Sequence, residues 1–144
     1  MSPETVAPAA GGMSFALSED QQAVREMVRD FAESEIRPIA MAIDETHDFP
    51  LATTKKMGEL GLMGLFVPDT YGGAGLDYVS YVIAIEELSR VCASHGVIAS
   101  AHNSLVCYPI LTYGTEAQKQ KYLTRLARGR CSRRPPARAR ARRW

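Results

Sequence analysis

The segment Tyr71-Gly72-Gly73-Ala74-Gly75 comes nearest to a ligand-binding motif, because it follows an apolar stretch and precedes a helical pattern. It resembles a phosphate-binding turn only superficially. A P-loop needs G-x-x-x-x-G-K-[ST], whose lysine and hydroxyl reach phosphate and magnesium, and neither is present. The G-x-G-x-x-G fingerprint is also missing, so the expectation is a tight turn that uses glycine for positive φ. His47 stands among Asp44, Glu45 and Asp48 in a polar linker, where solvated carboxylates are the ordinary outcome. His95 and His102 are seven residues apart, on one helix face but two turns distant, too far to chelate one ion. Cys92 has no evident base partner. Glu86 and Glu87 suit a solvated face or pairing with Arg90 at helical spacing. These residues identify no catalytic nucleophile, general base, metal site or cofactor-binding residue.

The elements that would position them are helical. Ser18 and Gln21 form a capping box, Glu19 and Asp20 suit the helix dipole, and Val24, Met27, Val28 and Phe31 recur as one apolar stripe. Pro38 predicts an end or kink near Arg37, with a short second helix through Ile39, Ala40 and Ile43 until the polar stretch 44–48. Pro50 opens a third helix to about Leu60, and the run from Leu62 reads as an extended apolar segment followed by the glycine loop. Asp77 caps a fourth helix with Tyr78, Val82, Ile85 and Leu88 as its apolar positions. Ser94 caps a fifth, reaching about Tyr113, with Pro109 predicting a kink and Gly114 a stop. Thr115 and Gln118 make a second capping box for a sixth, with Tyr122, Leu123 and Leu126 on one side. With no strand of period two, the fold class is all-α, a bundle of about six helices with disordered termini.

Charge divides the 144 residues sharply. Residues 1–116 hold all 16 acids against six basic residues, whereas 117–144 hold 11 basic residues and no acid. The final stretch, RCSRRPPARARARRW, has seven arginines in 15 residues and no periodic apolar face, which predicts disorder. The first 14 residues read as a short disordered leader without signal- or transit-peptide character. No apolar run approaches the ~18–20 residues of a membrane span. Three cysteines without metal spacing fit a reducing compartment. The expected location is cytoplasmic.

Three contiguous stretches carry a family resemblance. FALSEDQQAVREMVRDFAESEIRPIA resembles the opening helices of acyl-CoA dehydrogenases. KKMGELGLMGLFVPDTYGGAGLDYVSYVIAIEELSRVCAS follows that family's G-L-x-G-x-x-x-P-x-x-Y-G-G-x-G-x-D-Y pattern. HGVIASAHNSLVCYPILTYGTEAQKQKYLTRLARG carries its N-S-L and Y-G-T-E-x-Q-K-Q-K-Y-L signatures. GLDY with CASHGVIASAHNSL is most similar to short-chain, butyryl-CoA-like members. The resemblance covers about residues 15 to 129 and implies the N-terminal helical domain, truncated before the rest. It divides the chain into a leader 1–14, this domain at 15–129, and an Arg-rich tail 130–144 of frameshifted appearance.

The resemblance implies FAD-dependent α,β-dehydrogenation of short-chain acyl-CoA in fatty-acid or branched-chain catabolism. A glutamate base takes the α-proton while the flavin takes a hydride from the β-carbon. Acyl-CoA, an electron-transfer flavoprotein and a homo-oligomeric assembly are the partners it implies for the intact family. The strand-rich T-E-P-x-x-G-S-D region and the catalytic glutamate have no counterpart here, so the expectation is a fragment that is inactive alone and retains no FAD. Val97, Ala101 and Leu105 project from one helix face at i, i+4 and i+8. The resemblance implies that they wall the acyl pocket, whereas spacing alone suits core packing between helices. The alternative function is a helical binding module whose arginine tail holds nucleic acid or an anionic surface. No sequence-specific nucleic-acid reader is expected.

Overall fold

The computed structural model describes residues 15–130. The expected leader, and the basic tail except Arg130, lie outside the described residues. Helix α1 (Glu19–Phe31) opens with the reciprocal capping box: Ser18 Oγ accepts from the Gln21 amide, and Gln21 Oε1 accepts from the Ser18 amide at 3.0 Å. Gln21 Nε2 also donates to Asp77 at 2.8 Å, and Asp77 is itself the N-cap of α4 (Tyr78–Val91). One side-chain bond therefore ties the starts of two helices that are distant in sequence.

Pro38 neither ends nor breaks the first helical run. A π turn, Ala32–Ile36, passes directly into α2 (Arg37–Thr46), with Pro38 in its first turn. The Arg37 amide donates to Ala32 O, five residues back. The wider turn shifts the carbonyl ladder so that proline's missing N–H and bulky ring fall where a new α segment begins. α2 ends at His47, whose φ of 57° places it in the left-handed region.

Helix α3 (Leu51–Glu59) begins one residue after Pro50, whose carbonyl accepts from the Thr54 amide. The expected extended segment after it is a chain of tight turns, Gly61 to Gly58, Gly64 to Gly61 and Val67 to Gly64, before a 3₁₀ turn at Asp69–Tyr71. These turns bury Leu62, Met63, Leu65 and Val67 without pairing to a strand. Helix α5 (Ala93–Ala101) is capped at Cys92 rather than at the expected Ser94, because Cys92 is extended (φ −152°) and its carbonyl accepts from the Gly96 amide. A second π turn, His102–Cys107, carries α5 into α6 (Tyr108–Tyr113) and absorbs Pro109 as the first absorbed Pro38. After Gly114, Thr115 and Gln118 form the second capping box, opening α7 (Glu116–Gln118), a π turn (Lys119–Leu123) and α8 (Thr124–Leu126).

The described residues form five continuous helical runs and no strand, so the all-α class stands with one run fewer than expected. The main core joins Val28, Phe31, Ala32 and Ile36 to Met57, Leu62, Leu65, Ala84, Leu88 and Ala99. A second cluster joins Val67, Cys107, Leu123 and Ala127. The face of α4 differs from its expected stripe: Tyr78 and Val82 are exposed, while Ser80, Ile83, Ala84, Glu87 and Leu88 are buried. No helix among the described residues is long and apolar enough to cross a membrane.

Glu87 explains that rotation of the helix. It is only 3% exposed and takes two bonds from Arg29, at 2.7 and 3.1 Å, and a third from Arg90 at 3.3 Å. Arg90 reaches on to Glu33 at 2.6 Å, and Glu33 also bonds Arg37. Hydrogen bonds from Arg37 and then Arg90 hold the Glu33 carboxyl down at about 2. The hydrogen bond from Arg29 holds Glu87 below the usual carboxylate range, against the opposing push of burial. A charge buried among bidentate donors is costly to leave half-paired. Glu87→Gln should therefore lower urea-denaturation stability at neutral pH by about 1–2 kcal/mol. Because the folded carboxyl is depressed, its stabilisation is complete above the ordinary value of ~4.3 and drains as pH falls toward the folded value. The gap between the two proteins should close across that acidic interval, and a gap constant with pH would contradict the assignment.

Candidate functional site

The glycine loop spends its amides internally. Gly72 N–H bonds Asp69 O at 2.7 Å, Gly73 bonds Pro68 O, Ala74 bonds Gly64 O, Gly75 bonds Val67 O and Leu76 bonds Leu65 O. Gly72 has φ 79°, which a side chain would strain. A Cβ on Gly73 would stand 2.1 Å from Val67 O, so the loop folds flat against the turns before it. Tyr71 anchors its outer edge by donating to Glu116 at 2.9 Å. The tight-turn expectation holds, and these amides are not aimed outward at a ligand.

The polar groups buried beneath the loop are structural links between elements. Asn103, fully buried in the second π turn, accepts from the Leu65 amide at 3.0 Å and donates to Leu62 O and Ala99 O, each at 2.9 Å. The sequence offered Asn103 only as part of the N-S-L signature, with no role assigned to it. His95 is fully buried with Nε2 2.7 Å from the Thr53 hydroxyl, and its Nδ1 has no hydrogen-bond partner. His102 Nε2 lies 3.0 Å from Leu126 O, so that nitrogen carries the proton and links the π turn to α8. The two histidines serve different contacts, and no group of three metal-ligating residues occurs among the described residues.

Between α3, the glycine loop and α5 lies an open groove of about 1000 Å³. Ile98 and Ala101 of α5, with His102 and Leu105 of the π turn after it, form one wall, facing Leu51, Met63 and the Gly72–Ala74 segment. Ala101 and Leu105 thus come together on the groove. Val97 lies in a smaller neighbouring hollow of about 500 Å³ with Ile43, Phe49 and Pro50, and Ile98 borders both spaces. Val97 is 65% exposed and Leu105 74%, so neither packs into the core of this chain.

Residues 18–130 match the family profile described as acyl-CoA dehydrogenase, N-terminal domain. The chain belongs to the acyl-CoA dehydrogenase family. It is 56% identical over 117 residues to the short-chain specific acyl-CoA dehydrogenase of Clostridium acetobutylicum, covering 81% of this chain and 31% of that protein. The solved butyryl-CoA dehydrogenase of Megasphaera elsdenii superposes with a TM-score of 0.77 at 34% identity, over 81% of this chain and 31% of that one. An acyl-CoA dehydrogenase of Bacillus anthracis, solved with FAD, superposes with a TM-score of 0.73 at 36% identity over 78% of this chain and 19% of that one. The chain therefore spans about three tenths of the curated relative's length.

The glycine loop is not a dinucleotide-phosphate turn, which would leave its amides free for the pyrophosphate. Here every amide from Gly72 to Leu76 already donates within the loop and its neighbouring turns. What the acyl-CoA dehydrogenase domain offers instead is an apolar wall on α5, held in place by Asn103 and the two histidines.

Two measurements test that support. Asn103→Ala removes three buried bonds and leaves the Leu65 amide without a partner, which should cost about 2–4 kcal/mol in urea denaturation. A change below ~0.5 kcal/mol would show that the turns hold without it. Burial keeps both His95 and His102 below the ordinary histidine range, with the bond to Leu126 opposing this at His102. Depressed folded values mean that stability is complete above pH ~6.5 and is lost as pH falls through the folded values. Melting temperature should fall over that interval, and His95→Gln should flatten the slope.

Proposed function

We propose that this chain is the N-terminal helical domain of an FAD-dependent short-chain acyl-CoA dehydrogenase and supplies one wall of its acyl pocket. The observation that carries this reading is the α5 stripe: Leu105 is uncovered beside a groove shaped by Ala101, Ile98 and Met63. Such a wall orients a hydrocarbon tail and excludes water from it; it moves no proton. In the reading, Ala101 and Leu105 meet the tail and Val97 extends the same stripe into the neighbouring hollow. Flavin supplies hydride acceptance in the complete enzyme, and the catalytic glutamate belongs to a part without counterpart in this chain. Acyl-CoA and an electron-transfer flavoprotein are the complete enzyme's partners, within a homo-oligomer, and this chain alone is inactive and retains no FAD.

The chain divides, on this reading, into a leader at 1–14, the helical domain at 15–129 and a separate basic tail from 130. A chimera tests the assignment. Residues 18–130 would replace the matching segment of the Clostridium acetobutylicum enzyme, and the product should bind flavin and oxidise butyryl-CoA. Within it, Ala101→Leu narrows the wall and should lower kcat/KM for hexanoyl-CoA about tenfold more than for butyryl-CoA. A flavin-loaded chimera whose chain-length preference ignores Ala101→Leu would refute the acyl-wall role. The unmodified chain should purify colourless, and a yellow protein with flavin absorption would refute the claim that it retains none.

A further inference from the structure

Helix α2 ends in the wrong charge. Asp44 and Glu45 lie in its last turn, where the helix dipole favours cations, and no basic residue stands there with them. Neither carboxylate makes an ion pair among the described residues, whereas Glu33, Glu35 and Glu87 each face an arginine or lysine. Asp48 follows directly after the left-handed His47, so residues 44–48 gather three acids, all of them exposed.

The smaller hollow, about 500 Å³, lies against this helix end and the start of α5. Asp44 and Asp48 line it together with Ile43, Phe49, Pro50 and Val97, and no lysine or arginine does. Phe49 and Val97 are both exposed, so uncovered apolar side chains stand beside unanswered negative charge. The chain itself carries the complement. Residues 131–144 contain Arg133, Arg134, Arg138, Arg140, Arg142 and Arg143, no acid, and Trp144, the one tryptophan of the sequence. They continue from Arg130, which lines the large groove. Phe49 and Ile98 border both that groove and the hollow, so the two spaces adjoin. The segment spans up to roughly 46 Å when extended, enough to pass from one space to the other.

We propose that residues 131–144 dock on this hollow, with Trp144 among Ile43, Phe49 and Val97 and with Arg142 and Arg143 against Asp44, Glu45 and Asp48. The guanidinium groups supply the cations that the end of α2 lacks. Phe49 offers them an aromatic face as well. Charge selects this segment over a neutral or acidic one, and the apolar side chains select its indole. Attachment through Arg130 keeps the segment at high local concentration, so the contact forms without needing high intrinsic affinity. The docking requires neither flavin nor acyl chain, and it stands or falls apart from the acyl-wall reading.

Trp144 reports on the contact directly, because no other tryptophan contributes to the emission. In the full chain its fluorescence should lie to the blue of that of a free peptide 131–144, and acrylamide should quench it severalfold less. Raising salt to about 1 M, where the screening length falls to ~3 Å, should move both readings toward those of the peptide. At low salt, Asp44→Asn combined with Glu45→Gln should do the same, and so should Val97→Lys, which places a like charge in the hollow. All three positions are exposed, so the helical circular dichroism should stay unchanged. Glu26→Gln, which removes an exposed acid on α1, should leave the emission as it is. A tryptophan as accessible as that of the free peptide would overturn the proposal, as would protection that both the acid pair and Val97→Lys leave unmoved. A blue shift that disappears on dilution would overturn it too, by assigning the segment to a second copy of the chain.

Discussion

The side chain of Asn103 is the interaction on which the site depends. Residues 60–67 form neither a helix nor a strand, so their backbone groups have no repeating ladder to satisfy them. Asn103 supplies part of what is missing, taking the Leu65 amide and giving its own amide protons to Leu62 and Ala99. The rest follows in sequence. The glycine loop hangs from the same turns through Ala74 to Gly64 and Leu76 to Leu65. The last helix packs on them where Gly64 lies against Ala127. Without the anchored turns, neither side of the groove opposite α5 would have a fixed position.

Two π turns solve the same problem at different places. Each sits immediately before a helix whose first turn contains a proline, Pro38 in one run and Pro109 in the other. An α register there would direct the proline ring at a carbonyl one turn back. Changing to a bond five residues back lets the helix continue with little interruption. The second of these turns also carries His102 and Asn103. The wide turn that accommodates Pro109 is therefore the one that presents the anchor to residues 62 and 65 and the histidine to Leu126. Helix continuity and site support come from one local distortion.

Local chemistry was legible in the sequence, and long-range pairing was not. Both capping boxes and the Asp77 cap could be read because their partners lie three residues away. Ser94 misled because capping also requires an extended backbone at the cap, and Cys92 has it two residues earlier. Pro38 was read as an end or kink and Pro109 as a kink because an α ladder was assumed. The buried face of α4 was misplaced because Glu87 counts as polar in any periodicity, while its partners Arg25 and Arg29 lie about sixty residues away. Family membership was readable for a different reason. It rests on contiguous segments, and those survive without any knowledge of what packs against what. Val97, Ala101 and Leu105 were read as one face, yet Val97 borders a different hollow from the groove that Ala101 and Leu105 line.

The distribution of apolar surface separates what this domain closes within itself from what it leaves open. Its two cores are closed by residues such as Ile36, Leu62, Leu88 and Leu123, each fully buried within this chain. Folding these helices thus needs no contribution from elsewhere to fill their interior. Tyr78, Val82, Val97, Leu105 and Tyr113 remain uncovered on the outside. Large exposed apolar groups are expensive to leave in water and ordinarily mark a surface that meets something. The buried polar groups, meanwhile, are committed to scaffold bonds: Glu87 to arginines, Asn103 to backbone, His95 to Thr53 and His102 to Leu126. The buried polar groups thus hold elements together, while of the uncovered apolar residues Leu105 stands on the large groove and Val97 on the smaller hollow beside it.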